Sequence, residues 1–234
     1  YKKGTIVTSQ FLGDLDDYRN FRYFEETIAH LQRLFDVSPR IVVSDLHPGF
    51  RTTRFARASG LRRFAVQHHF AHVLSVLLEH SAPAGRDVLG VAFDGYGYGD
   101  DGEAWGGEFL LANYLGYKRL ARLRPVPLPG GDAAAREPFR MALAFLRDAY
   151  GDNLPELACF KSVNKTRLNL VLEMMAKGLN CPPTSSCGRL FDAVSFLAGT
   201  APPRVEFEAE APMRLEAVSR RRARTGSRFS FRAV

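Results

Sequence analysis

Apolar residues at Phe24, Ile28, Leu31 and Phe35 recur at intervals of three or four, the period of a helix with one buried face. They predict a helix over residues 21–35 with Asn20 as its cap. The β-branched run within residues 40–45, closed by Asp45 and Pro48-Gly49, predicts a short buried strand. Its carboxyl end leads into Asp45-Leu46-His47-Pro48, the position where α/β proteins place ligands. A basic connector follows, then a second helix over residues 67–79. Residues 88–93 form an apolar strand, the block 94–102 is rich enough in glycine to predict a turn, and residues 107–114 return as a strand. The result is a β-hairpin with Asp94 at its mouth. Helical spacing returns over residues 136–150, 166–178 and 188–197. Helices interleaved with strands predict an α/β fold.

Composition narrows the class. The chain has 234 residues, 46% of them hydrophobic and 24% charged, which excludes disordered, collagenous and coiled-coil proteins. No apolar run approaches the roughly 20 residues needed to cross a bilayer, and the start lacks a signal-peptide core, so a cytoplasmic protein without membrane contact is expected. Cys159, Cys181 and Cys187 lack the spacing of a zinc or redox motif and are expected to be reduced structural thiols. The net charge of +7 points only weakly to nucleic acid. Residues 214–234 hold seven arginines against the single acid Glu216, so nearly all of the excess sits there, in a segment expected to be a solvated loop. The division expected is residues 1–213 as the first portion of one domain and 214–234 as a basic segment opening a second. The absence of an initiator Met suggests a piece of a longer chain.

Three groups of residues carry candidate chemistry. On the helix over residues 67–79, Phe70, Val73, Leu74 and Leu77 share one face, while His68, His72, Ser75 and Glu79 share the opposite one. Imidazoles four residues apart lie about 6 Å from one another and suit a divalent cation. A polar helix face that merely contains histidines is the competing reading. For His69 and His80 a solvated position is expected. In the second group, Asp94 ends an apolar strand and precedes Gly95, Gly97 and Gly99, which sets a carboxylate beside backbone that phosphate oxygens can approach. The same glycines would serve a tight turn, and Trp105 is expected to pack. In the third group, Gly130-Gly131-Asp132 and Ser185-Ser186-Cys187-Gly188-Arg189 are small-residue loops running into helices whose first N–H groups suit an anion. Asp132 and the serines would serve equally as caps, and Arg189 and Asp192, three apart, as an internal ion pair. Cys187 is expected to pack rather than to act as a nucleophile.

Taken in order, Gly13-Asp14-Leu15, Asp45-Leu46-His47-Pro48, Gln67-His68-His69-Phe70-Ala71-His72, Phe93-Asp94-Gly95-Tyr96-Gly97-Tyr98-Gly99, Trp105-Gly106-Gly107-Glu108-Phe109, Pro127-Leu128-Pro129-Gly130-Gly131-Asp132, Arg136-Glu137-Pro138 and Ser185-Ser186-Cys187-Gly188-Arg189-Leu190-Phe191-Asp192 resemble the HypF carbamoyltransferases of nickel-iron hydrogenase maturation. The resemblance covers nearly the whole chain. It implies an α/β fold of the actin, sugar-kinase and chaperone ATPase superfamily, an RNase H-like lobe of a two-lobed domain. It also implies transfer of a carbamoyl group from ATP-derived carbamoyl-adenylate to the C-terminal cysteine of the partner HypE. On this sequence it makes His68, His72 and Asp94 the ligands of a divalent metal, iron or zinc or else magnesium. Gly95, Gly97, Gly131, Asp132, Ser185, Ser186, Gly188, Arg189 and Asp192 fall around the nucleotide. The paired-cysteine zinc motifs and the YrdC-like region that makes the adenylate in the family have no counterpart in this sequence, so the transfer half of the reaction is what the resemblance implies here. A tRNA threonylcarbamoyl transferase-like enzyme and a non-catalytic binding fragment are the alternatives.

Overall fold

The computed structural model describes residues 4–222 and divides the chain into two compact units, with the division between His68 and His69. The first holds α1 (Tyr18–Leu34), β1 (Ile41–Asp45), α2 (Arg51–Ala58) and β2 (Arg62–Val66). The cap of α1 is Asp17 rather than the expected Asn20. The Asp17 carboxylate accepts the Arg19 backbone N–H, while the Asn20 amide donates to the Asp14 carbonyl. Its bond from the Arg19 guanidinium holds the Asp17 carboxyl down at about 2. The connector expected after β1 is two elements instead. Arginines at 51, 54, 57, 62 and 63 obscure α2 and β2, because α2 buries only the small Thr53 and Ala56 and β2 is held by backbone pairing. β1 and β2 run parallel from Ile41↔Arg62 to Asp45↔Val66. β1 is not buried as expected: Ile41 and Val43 are exposed on one side of this two-stranded sheet, while Val42 and Ser44 on the other are half-buried. Phe24 of α1 meets Phe55 of α2 edge-on at 5.1 Å.

The second unit starts within the first turn of α3 (His68–Glu79) and continues with β3 (Val88–Tyr98), β4 (Ala104–Asn113), β5 (Gly116–Arg122) and β6 (Val126–Pro127). Then come α4 (Ala133–Arg136), α5 (Pro138–Tyr150), α6 (Lys165–Lys177), β7 (Pro183–Thr184), α7 (Cys187–Leu197) and α8 (Glu210–Arg222). The sheet order is β3-β4-β7-β6, with β5 also on β4. The predicted hairpin is present as antiparallel β3 and β4, but only the end of the glycine block belongs to its turn. β3 runs on through Tyr98, and the reversal occupies residues 99–103. Alternate glycines are compatible with extended backbone, so composition alone started the turn five residues early.

Two cores hold this unit. Val73 and Leu77 of α3 pack on Trp105, Leu110 and Ala112 of β4. Leu110 is fully buried, worth about 1.5–3 kcal/mol relative to exposure. Phe139, Met141, Val171 and Phe196, from α5, α6 and α7, form the other core with Val126 and Leu128. The segment expected to be a solvated loop from Arg214 is helical as far as Arg222, with Arg214 paired to Glu210 and Arg220 to Glu216 one turn apart. Residues 223–234 of that expected loop lie outside the described residues. The cysteines are free, and no helix among the described residues is long and apolar enough to cross a membrane.

Candidate functional site

α3 carries His68 and His72 one turn apart, as the periodicity predicts. Asp94 reaches them through an irregularity in β3. The β3–β4 register holds from Val88↔Ala112 to Phe93↔Gly107, then resumes at Gly97↔Trp105, so residues 94–96 leave the ladder. A bulge of this kind re-aims a side chain. The Asp94 Oδ1 accepts the Gly95 N–H at 2.6 Å, and its Oδ2 stands 3.3 Å from His72 Nε2 and 3.7 Å from His69 Nε2. One ligating atom from each of His68, His72 and Asp94 lies within 4.8 Å of the others. Because both histidines belong to α3, that helix and the β3 bulge set the geometry.

Within the first unit, His68 Nδ1 is 2.8 Å from Asp45 Oδ2, whose Oδ1 accepts the His47 N–H. A carboxylate on Nδ1 favours the tautomer whose Nε2 carries the lone pair, an arrangement commonly found behind metal-bound imidazoles. His69 departs from expectation. It is fully buried, near-stacked on Trp105 at 6.3 Å, and faces Asp94 rather than solvent. His80 is exposed as expected, and Trp105 is buried packing. A groove of about 590 Å³ between α3 and β3, lined by His72, Val76, His80, Leu89, Val91 and Asp94 among others, opens beside these side chains.

The far side of the bulge meets α7. Ser186 is the N-cap: its Oγ accepts the Arg189 N–H at 3.0 Å and donates to the Gly95 carbonyl at 2.7 Å. A Cβ on Gly188 would sit 2.7 Å from the Gly95 Cα, so the helix approaches the strand this closely only because residue 188 is glycine. Arg189 and Asp192 form the internal pair at 3.1 Å, yet Arg189 Nε and Asp192 Oδ2 are buried without a hydrogen bond. Burial pushes the Asp192 carboxyl up to about 6, against the pull of the guanidinium. Cys187 is buried with its thiol raised by desolvation, a packing environment and not that of a nucleophile.

The structure thus brings Asp94, Gly95, Ser186, Gly188, Arg189 and Asp192 to one junction. Gly97 marks the resumed ladder and pairs with Trp105. Gly131 and Asp132 belong to a separate loop, tied by the Gly130 N–H to the Asn180 carbonyl and leading by way of β7 to Ser185 and Ser186. Asp132 makes no side-chain cap bond, because α4 is a single turn and Asp132 is itself in helical conformation. Sequence reasoning gave no role to Glu108. It is fully buried in β4 and accepts the Gly106 and Gly107 N–H groups and the Ser185 hydroxyl. Its one sequence signal is a carboxylate set directly before the apolar run Phe109-Leu110-Leu111.

The site is thus a helical histidine pair beside a carboxylate at a strand bulge, with a capped helix N-terminus behind the bulge, in a mixed α/β fold. The model of the second subdomain of the carbamoyltransferase Kae1-like domain matches residues 90–233, and that of the HypF Kae1-like domain matches residues 1–79. The chain belongs to the HypF carbamoyltransferase family. It is 44% identical to carbamoyltransferase HypF2 of Cupriavidus necator over 90% of its length and 26% of that protein's. It is also 44% identical to carbamoyltransferase HypF of Rhodobacter capsulatus, over 93% of the chain and 30% of the relative. A crystal structure of full-length HypF in the phosphate- and nucleotide-bound form superposes with a TM-score of 0.81 at 37% identity, covering 90% of this chain and 32% of that one. The chain therefore spans about a quarter to a third of the length of these relatives. Its fold is Kae1-like, consistent with part of an RNase H-like lobe.

Proposed function

We propose that this chain supplies the carbamoyl-transfer site of a HypF-type enzyme, moving carbamoyl from carbamoyl-adenylate to the C-terminal cysteine thiol of HypE. The observation that carries this reading is the double use of one strand irregularity. Asp94 faces the histidines through its side chain, and through its backbone it abuts the capped start of α7. A cation site and an anion site therefore share one residue. The nucleotide in the HypF crystal structure supports the same reading.

Two imidazoles and one carboxylate are a donor set suited to Fe(II) or Zn(II). A divalent ion held by His68, His72 and Asp94 would supply Lewis acidity toward phosphate and carbonyl oxygens. The residues of the chain do the rest. The N–H groups at the start of α7 and the Arg189 guanidinium would bind the adenylate phosphate, with Ser185, Ser186, Gly188 and Asp192 shaping the approach and Gly95, Gly97, Gly131 and Asp132 bordering the nucleotide. The groove along β3 would admit the acceptor tail. The thiolate attacks the carbamoyl carbon, the sulfur–carbon bond forms, and the carbon–oxygen bond to phosphate breaks with its electron pair leaving on AMP. The thiol proton passes to solvent. The carbamoyl group arrives activated, so positioning and electrostatics suffice and no protein nucleophile is needed. Residues 1–213 would form the first portion of this domain and 214–234 the start of a second, in a cytoplasmic setting where the free thiols stay reduced.

Asp94→Ala in the full-length protein tests the assignment. Transfer to the HypE cysteine should fall by at least a hundredfold, while pyrophosphate release from ATP and carbamoyl phosphate continues. Retained transfer would reduce Asp94 to a residue of the bulge, and joint loss of both activities would show that the chemistry has been misplaced.

A further inference from the structure

Glu108 has no part in the reaction as described, yet it is the acid most completely withdrawn from solvent in the second unit. It sits in the middle of β4, and a carboxylate there is costly unless its lone pairs are used. They are. Oε1 accepts the Gly106 N–H at 3.1 Å, the Gly107 N–H at 3.2 Å and the Ser185 hydroxyl, while Oε2 faces Arg119 at 3.5 Å. Arg119 is itself held between Asp101, at 2.8 Å, and the face of Trp105, 3.9 Å from the ring centroid.

What this carboxylate grips matters more than the grip. Ser185 precedes the residue that caps α7, and Ser186 passes the constraint on: its hydroxyl reaches the carbonyls of both Asp94, at 3.2 Å, and Gly95, at 2.7 Å. Gly106 lies directly beneath that contact. A Cβ there would stand 2.6 Å from the Asp94 carbonyl oxygen and 2.8 Å from the Ser186 Cα, so strand, bulge and loop touch through backbone. The Gly95 N–H then fixes Asp94 Oδ1 and leaves the direction of Oδ2 determined. A path of direct contacts therefore runs from Glu108 through Ser185 and Ser186 to the carboxylate beside His72.

We propose that Glu108 is a positioning residue for the metal site: it clamps the Ser185–Ser186 loop on the β3 bulge and thereby aims Asp94 at the histidines of α3. The proposal rests on the reading of Asp94 as a metal ligand. A structural role alone would make Glu108 matter for stability. A positioning role makes it matter for metal affinity at unchanged fold, because partners behind a ligand typically govern affinity by about ten- to a hundredfold.

The test uses the full-length protein and Zn(II) or Fe(II), with affinity measured by competition against a chromophoric chelator and thermal unfolding recorded on the same samples. Glu108→Gln keeps the volume and one acceptor oxygen, and Ser185→Ala removes only the linking hydroxyl. Both should lower metal affinity by about tenfold or more while the melting temperature stays within a few degrees of the parent. Asp94→Asn should abolish binding. If Asp94→Asn loses the metal but neither Glu108→Gln nor Ser185→Ala weakens it, the positioning role is overturned and the metal assignment stands. If Asp94→Asn keeps the metal, both fall. Should Glu108→Gln fail to fold, Ser185→Ala decides alone.

Discussion

Replacing Asp192 by Asn should make the protein more stable at neutral pH than at acid pH relative to the parent. Asp192 is buried in α7, and its carboxyl is pushed from 3.8 to about 6 by desolvation, with the Arg189 ion pair only partly opposing the shift. The native carboxyl thus keeps its proton to about pH 6, whereas the unfolded chain releases it near 3.8. The native state holds more protons across that window, so stability falls as pH rises through it. Below pH 3.8 both states are protonated and the residue carries no ionisation penalty. Above about pH 6 the full penalty is present; two pH units correspond to about 3 kcal/mol. Asn cannot ionise. The difference in unfolding free energy, variant minus parent, should therefore grow by about 2–3 kcal/mol between pH 4 and pH 7. Leaving Arg189 without its counter-charge adds an offset that hardly varies with pH, so the slope of the difference is the quantity to read. Urea unfolding followed by Trp105 fluorescence suits the purpose, since the single tryptophan is buried in the same unit. A flat difference, or a parent that gains on the variant as pH rises, would mean that Arg189 outweighs burial and that Asp192 is ionised throughout.

Two further outcomes follow from the same geometry. His68→Ala combined with His72→Ala should remove the bound divalent metal from the purified full-length protein, and elemental analysis showing unchanged metal content would rule out the α3 site. Gly188→Ala places a methyl 2.7 Å from the Gly95 Cα, so α7 must shift off the strand; a loss of about 1–3 kcal/mol in urea unfolding is expected, and a neutral result would mean that the junction is looser than the distance implies.

Local signals carried the reading of the sequence where the physics is local. The 3.6-residue period located α1, α3, α5, α6 and α7 to within a few residues, because the apolar residues of each gather on one stripe. Ser186 was legible as a cap and Arg189–Asp192 as a pair for the same reason, since both partners lie within three positions. α2 and β2 were missed because arginines crowd both segments and the only fully buried side chains there are the small Thr53 and Ala56, with β2 held by backbone pairing. β5 was missed because it is an exposed strand on the edge of β4, with Lys118, Arg119 and Arg122 interrupting the apolar pattern. His69 was misjudged since a helical wheel identifies a polar face but not the neighbour that will cover it. That neighbour is Trp105, and it arrives by way of the sheet.

The candidate site divides along the same line. His68 and His72 are a property of one helix, and sequence spacing alone put them together. Asp94 was singled out as a carboxylate ending an apolar strand, yet it works from a bulge inside a longer strand, because the ladder with β4 resumes at Gly97. What no local pattern could convey is the support behind it. Glu108 and Ser185 are separated by 77 positions, and Ser186 reaches Asp94 across 92. Such pairs form only when β4, β7 and the start of α7 are already assembled, and they require Gly106 and Gly188 to be without side chains at the points of contact. Gly106, which the sequence set beside a strand, and Gly188, which it set at the start of a helix, are therefore, in the folded chain, what allows these elements to touch through backbone beside Asp94.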